Sequence, residues 1–346
     1  MVSLLRVRHW TTLLLDNSCV KKHIYIYSPS GAVRDKAAFK RGIRRLQFLG
    51  HEVEVDQDAL ASHMRFAGDD TMRLAAIHRA CASGADVAMI SRGGYGLTRI
   101  LPGIRYKAVA KAIERGTQFV GISDFTAFQL AVLSKTGGVT WAGPALCEGF
   151  GVGGVSAVGP TASDTAIELP DDIMEDCFHD LLTGQGEGAG WRQNRDSSSV
   201  LDSTSVESGS QLAKNATVWG GNLSIVVSLL GTPYFPEVKG GILFLEDVAE
   251  HPYQIERMLT QLLHSGVLAR QKAIIMGQFT AYKLTPHDKG FKLQTVVDWL
   301  RSQVKTPILT NLPYGHVATK VLLPVGAKAD LVVDGRDALM FWGHHV

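Results

Sequence analysis

The segment Phe119-Val120-Gly121-Ile122-Ser123-Asp124-Phe125-Thr126 holds the residue best placed to act as a nucleophile. Phe119 to Ile122 read as a short buried strand, and from Phe125 to Lys135 apolar side chains recur at helical spacing (Phe125, Phe128, Leu130, Val132, Leu133). A serine on a strand-to-helix turn presents its hydroxyl outward, beside helix-start N–H groups that can hold a developing oxyanion. The junction also has an ordinary reading, because Ser and Asp are common helix N-caps, and Asp124 and Thr126 fit a capping role.

A serine hydroxyl is a weak nucleophile until a base removes its proton, and the base needs an acid to fix its tautomer. Of the twelve histidines, His316 lies in the turn Pro313-Tyr314-Gly315-His316 rather than on a helix face. His251 and His264 border or end a helix, His78 lies mid-helix, and His344 and His345 are at the C-terminus. Glu246 ends the apolar strand Ile242-Leu243-Phe244-Leu245, where a solvated carboxylate has no structural task; Asp247 competes with it. The order Ser, acid, His is one that serine hydrolases use.

The elements needed to bring these residues together are legible. The first half alternates strand and helix signals: strands at His23 to Tyr27, Glu52 to Val55 and Asp86 to Ile90, and helices at Asp35 to Leu49, Asp69 to Ala82 and Tyr106 to Arg115. Such repetition predicts an α/β fold, a mainly parallel sheet flanked by helices, with ligand chemistry at the carboxyl ends of the strands. Arg92-Gly93-Gly94-Tyr95-Gly96 and Ser123 both fall at such ends. A smaller C-terminal α/β domain is predicted from a helix at Asn222 to Leu230, strands at Gly241 to Leu245 and Lys272 to Phe279, and helices at Tyr253 to His264 and Leu293 to Arg301. The division is an extension over 1–20, a nucleophile-bearing domain over 21–170, a linker or flexible loop over 171–215, and over 216–346 a domain supplying acid and base. Gly184, Gly186, Gly188 and Gly190, with the serine-rich run from Ser197 to Ser210, give the linker its composition, which suits a mobile excursion or a substrate lid. Within it, Trp191 and Arg192 would gain most from a ligand.

Length allows two cores, and a formal net charge of +2 gives no reason to expect a nucleic-acid partner. Cys19, Cys81, Cys147 and Cys177 are scattered, which fits reduced thiols and a cytoplasmic location better than disulfides or a metal site. The apolar run Trp10 to Leu15 is short for a signal peptide, and no stretch reaches the roughly 18 apolar residues of a membrane span. Gly93-Gly94-Tyr95-Gly96 lacks the Gly-Lys-Ser/Thr of a phosphate loop, and no dinucleotide fingerprint is present.

Taken together, the motifs resemble those of the L,D-carboxypeptidases of peptidase family S66, the muramoyltetrapeptide carboxypeptidases. The markers are Ser28-Pro29-Ser30-Gly31, Arg92-Gly93-Gly94-Tyr95-Gly96, Gly121-Ile122-Ser123-Asp124, Gly220-Gly221-Asn222-Leu223, Leu245-Glu246-Asp247 with Glu250 and Tyr253, and Gly315-His316. They span the chain from about His23 to Leu331. The resemblance implies a catalytic triad of Ser123, Glu246 and His316, and an oxyanion hole from the backbone N–H groups of Gly94 and Asp124. It implies removal of the terminal D-alanine from a murein tetrapeptide through an acyl-enzyme, without metal or organic cofactor, in a cytoplasmic homodimer. Arg92 is a candidate for a substrate carboxylate or a brace for its own turn; Asn222 caps a helix or touches substrate; Tyr253 is expected at the domain interface. The microcin C self-immunity enzymes of the same family cut an aminoacyl-adenylate analogue and stack its adenine on a loop aromatic, which Trp191 would supply. A non-hydrolytic binder of cell-wall peptides is the alternative of another class. One departure stands out: Trp141-Ala142-Gly143-Pro144 replaces the His-Gly-Pro turn of many members, so Ala142 stands where a histidine is usual and the pocket shape there is open. The Gly/Ser-rich segment is also longer than the family leads one to expect.

Overall fold

The computed structural model describes residues 20–157, 165–194 and 209–343. The expected N-terminal extension up to position 19 lies outside the described residues, as do the serine-rich run 195–208 and His344 and His345.

The first half forms parallel strands β1 (His23–Tyr27), β2 (Glu52–Val55), β3 (Val87–Ile90), β4 (Gln118–Gly121) and β5 (Thr140–Ala142), arranged β2-β1-β3-β4-β5. They alternate with α1 (Lys36–Phe48), α2 (Asp70–Ala82), α3 (Leu97–Ile100), α4 (Tyr106–Glu114) and α5 (Thr126–Thr136). Every residue of β3 is buried, as a strand covered on both faces requires, whereas the edge strand β2 exposes both glutamates. Asp35 caps α1 by accepting from the N–H groups of Ala37 and Ala38. The helix then buries Ala38, Phe39, Gly42 and Leu46, the spacing of one helical face. Helix α5 differs, because every residue from Thr126 to Val132 is buried. It is enclosed by α4 on one side and the second sheet on the other.

After a short antiparallel pair, β6 (Gly154–Ala157) with β7 (Thr165–Glu168), come α6 (Asp172–Thr183), β8 (Gly188–Arg192), β9 (Ser210–Asn222), α7 (Leu223–Ser228), β10 (Ile242–Val248), α8 (Pro252–His264), β11 (Ala273–Thr280), α9 (Leu293–Gln303) and β12 (Ile308–Leu309). The chain ends in β13 (Leu323–Val325), β14 (Lys328–Asp334) and β15 (Asp337–Phe341). The second sheet runs β12-β11-β10-β9-β14-β15-β8, with β9 to β12 parallel and the rest antiparallel.

Two boundary expectations are corrected. The described part of 171–215 is not a linker: it contains α6, β8 and the start of β9. Asp171 caps α6, Met174, Phe178, Leu181 and Leu182 line its buried face, and Gly184 closes it with φ 70°. The glycines at 188 and 190 sit in β8, and at Gly188 close packing against β15 leaves no room for a Cβ, which would lie 2.5 Å from Met340 O. Nor is 216–346 one continuous unit, because β13 crosses back to pair antiparallel with β5 in the first sheet. The halves are further joined where Asn222 N–H donates to the Thr126 hydroxyl (3.1 Å), a contact that requires Gly221, whose Cβ would lie 2.5 Å from Thr126 Oγ1.

Candidate active site

Ser123 follows β4 after one residue, Ile122, and adopts φ 67°, a left-handed conformation that costs a non-glycine residue roughly 1–3 kcal/mol. Packing holds it there. Phe125 and Phe128 stack with ring centroids 4.9 Å apart, Phe128 lies 5.5 Å from Phe119, and all three are fully buried. Each such burial contributes about 2–3 kcal/mol, so the three together exceed the local strain. The turn after β3 lies alongside, because β3 and β4 are neighbours. A Cβ at Gly93 would sit 2.6 Å from Ser123 Cβ and 2.8 Å from its Oγ, so only glycine allows this approach. The Asp124 carboxylate, fully buried, accepts from the Ser30 hydroxyl and from Leu97 N–H (2.9 Å). It therefore ties the loops after β1, β3 and β4 together. Burial raises its pKa despite those bonds. The side chain of Asp124 is thus structural, and only its backbone N–H, at the helix start, is free for the oxyanion role.

The opposing wall is made by β10 and the segment after β12. The β10–β11 register shifts between Leu245 and Asp247, so Glu246 sits at an irregularity that re-aims its side chain. Its carboxylate is fully buried, 2.8 Å from His316 Nδ1 through Oε2 and 3.3 Å from Asn222 Nδ2 through Oε1. Asp247 accepts from Asn222 Nδ2 (2.8 Å) and from the N–H (2.9 Å) and hydroxyl (2.8 Å) of Ser224. That occupation separates the two candidate acids: Glu246 meets the histidine, Asp247 anchors the start of α7. Gly315, at φ 142°, brings His316 into place, since a Cβ there would press on Gln278 O at 2.8 Å and Glu246 Oε2 at 3.2 Å. Burial pulls the His316 pKa down, but the hydrogen bond and charge of Glu246, with Asp247 and Glu148, outweigh it and leave the imidazole raised. With Nδ1 on Glu246, Nε2 is the nitrogen left for proton transfer.

Ser123 and His316 line one cavity of about 480 Å³ together with Arg92, Gly93, Gly94, Glu148, Gly315 and Lys320. No hydrogen bond among the described residues joins Ser123 to His316; both line the cavity, and catalytic hydrogen bonds of this kind often tighten only when substrate binds. Arg92 belongs to this wall, its Nε 3.6 Å from Glu148. Glu148 and Lys320 are additions that sequence reasoning missed. Glu148 lies on a π-helical turn, Leu146–Phe150, that leaves no periodic signal. Lys320 follows His316 by one helical turn's length of chain, but nothing in its neighbours marks it.

Two expectations are corrected, and one open choice is resolved. Trp191 is buried in β8 rather than free in a loop, and its indole N–H donates to Thr310 O (3.1 Å), so no ring face is open to a ligand. Of the two roles open to Asn222, helix cap and substrate contact, the first is the one seen: its Oδ1 caps α7 at Ile225 N–H while its Nδ2 holds both acids, and it does not line the cavity. Tyr253 is 56 % exposed on α8, against His251, not at an interface between the sheets. Among the described residues no helix is long and apolar enough to cross a membrane, and no group of three or more His, Cys, Asp or Glu is placed to hold a metal.

Comparison with known proteins agrees with this architecture. The family profile described as LD-carboxypeptidase N-terminal domain matches residues 24–143, and that of the LD-carboxypeptidase C-terminal domain matches residues 215–331. The crystal structure of a muramoyltetrapeptide carboxypeptidase from Oxalobacter formigenes superposes with a TM-score of 0.75 at 33 % identity, covering 93 % of this chain and 98 % of that one. A probable murein peptide carboxypeptidase of Bacillus subtilis is 28 % identical over 301 residues, 85 % of this chain and 84 % of the relative. A microcin C7 self-immunity protein of Escherichia coli is 25 % identical over 72 % of each chain. The two matched domains, in order and on either side of the cavity, establish that this chain belongs to the LD-carboxypeptidase family, peptidase S66.

Proposed function

We propose that this protein is a serine-type L,D-carboxypeptidase that releases the terminal D-alanine of a murein tetrapeptide. The observation that carries the reading is the Glu246–His316 contact at 2.8 Å, with the histidine lining the same cavity as a serine on a left-handed turn. The similarity to murein peptide carboxypeptidases supports peptide hydrolysis as the reaction class.

In this mechanism Ser123 Oγ attacks the scissile carbonyl carbon as its proton passes to His316 Nε2. The carbonyl oxygen becomes an oxyanion held by the N–H groups of Gly94 and Asp124, each such donor contributing about 3 kcal/mol. Collapse breaks the C–N bond, His316 returns its proton to the leaving amine, and D-alanine departs. Water, deprotonated by His316, then cleaves the serine ester and restores the hydroxyl. Glu246 fixes the Nδ1–H tautomer and stabilises the imidazolium. The expected setting is the cytoplasm and the expected assembly a homodimer, which sedimentation tests.

The microcin-type reading shares the triad, but the buried Trp191 speaks against an adenine stacked on that ring. Hydrolysis of murein tetrapeptide, followed by mass spectrometry beside an aminoacyl sulfamoyl adenylate, decides between them. Turnover of the tetrapeptide is expected, and cleavage of the adenylate alone overturns the reading. Tight tetrapeptide binding without turnover would make the chain a binder instead.

A further inference from the structure

Lys320 is the buried cation that the triad leaves unexplained. Only 3 % of its surface is exposed, and it lines the cavity shared by Ser123 and His316. A buried ammonium is costly unless paired, yet among the described residues no hydrogen bond or ion pair ends on it. The surrounding acids are engaged elsewhere. Glu246 holds His316 and Asn222, and Asp171 caps α6 at Met174 N–H (3.0 Å) while accepting from the Thr319 hydroxyl (2.6 Å). Glu148 faces Arg92. Burial pulls the Lys320 pKa down, against the opposing charges of Glu148, Asp171 and Glu246.

We propose that Lys320 receives the free terminal carboxylate of the substrate and thereby makes the cavity selective for chain ends. This rests on the peptidase reading given above. The carboxylate of a single departing residue lies three bonds from the scissile carbonyl carbon, about 4 Å away. Its receptor must therefore stand in the cavity that holds the nucleophile, not on a remote subsite. Lys320 meets that condition from the segment that also carries His316, whereas the guanidinium of Arg92 already faces Glu148. A compact ammonium suits one terminal carboxylate, and an incoming carboxylate supplies an ion pair that none of the described residues makes with it.

Binding separates this inference from the hydrolytic one. In Ser123→Ala protein, calorimetry is expected to show murein tetrapeptide binding about 10- to 100-fold tighter than its C-terminal amide, the range for a charge-assisted hydrogen bond. Adding Lys320→Met, which keeps the chain length and removes the charge, should abolish that preference while amide affinity stays within about threefold, a difference below the energy of one such bond. Lys320→Arg should keep part of it, and Lys320→Gln provides a second neutral variant should the methionine disturb folding, as thermal melting would reveal. An acid preference that survives both neutral variants overturns the proposal. So does the absence of any preference in Ser123→Ala protein, or an equal loss on acid and amide. Turnover by the native protein is read separately: Lys320-dependent binding without hydrolysis keeps this inference and removes the peptidase.

Discussion

Around Ser123 the chain positions its chemistry with backbone; around Glu246 and His316 it does so with side chains. The nucleophile turn depends on a left-handed serine and on glycine where the neighbouring loop passes. The acid–base wall depends on a chain of buried and half-buried polar groups, Ser224, Asp247, Asn222, Glu246 and His316, in which each bond orients the next. A strained turn fails when its surroundings relax. A polar chain fails when one member is left without its partner, because a buried unpaired group costs about 1–3 kcal/mol. The two walls should therefore answer differently to substitution.

The largest effect removes what both walls serve. S123A should lower kcat on the order of 10⁶-fold, H316A by a similar factor, and the double variant little further, as groups acting as one unit do. Steady-state rates on murein tetrapeptide measure this, and additive losses would mean that the two side chains do not work on one step.

Next in size is Glu246→Gln, which keeps the shape of the wall and removes its charge. A loss near 10⁴-fold in kcat is expected by analogy with the acid of other triads. The pH profile gives the sharper reading. In the proposed mechanism His316 must be neutral to accept the serine proton, so activity is expected to fall as pH drops through its pKa. Glu246 helps to raise that pKa above the ordinary 6.5, so the acid limb should lie above 6.5 in the native enzyme and move to lower pH in the variant. A limb that does not move would remove Glu246 as the partner that sets the imidazole.

The same contrast explains what could be read from the amino-acid sequence. Ser123, Gly93 and Gly94 are legible because a turn between strand and helix needs particular residue types at adjacent positions. Glu246 and His316 are legible because a charged residue ending an apolar strand, and a histidine off any helix face, lack a local task. The choice between Glu246 and Asp247 was not, since it depends on a register shift between β10 and β11 and on Asn222 across the sheet. Glu148 and Lys320 become cavity residues only when distant segments fold together. Helix α6 is a different case: Asp171, Gly184 and an apolar face at Met174, Phe178, Leu181 and Leu182 are all visible in the sequence, but the glycine-rich stretch that follows has the composition of a linker and masks them.

A smaller effect probes the backbone wall alone. Gly93→Ala adds one methyl 2.6 Å from Ser123 Cβ without touching the base or the acid. Overpacking of this kind costs about 1–3 kcal/mol, and the strained turn is the part able to yield. A loss near 100-fold in kcat is expected, comparable with displacing an oxyanion donor, with the acid limb of the pH profile unchanged. A shifted limb would instead mean that the two walls are mechanically coupled.

The smallest effect tests what lies outside both walls. Trp191→Phe keeps the buried ring in β8 and deletes the indole N–H that reaches Thr310 O. One net hydrogen bond is about 1 kcal/mol of stability. Denaturant unfolding should register that loss, while kcat and KM on murein tetrapeptide stay at native values because the ring does not line the cavity. A raised KM with unchanged stability would reverse the assignment, because it would require the indole to leave β8 and meet substrate. The aromatic would then belong to the binding surface after all, and the adenylate-cleaving reading would regain the one residue that now counts against it.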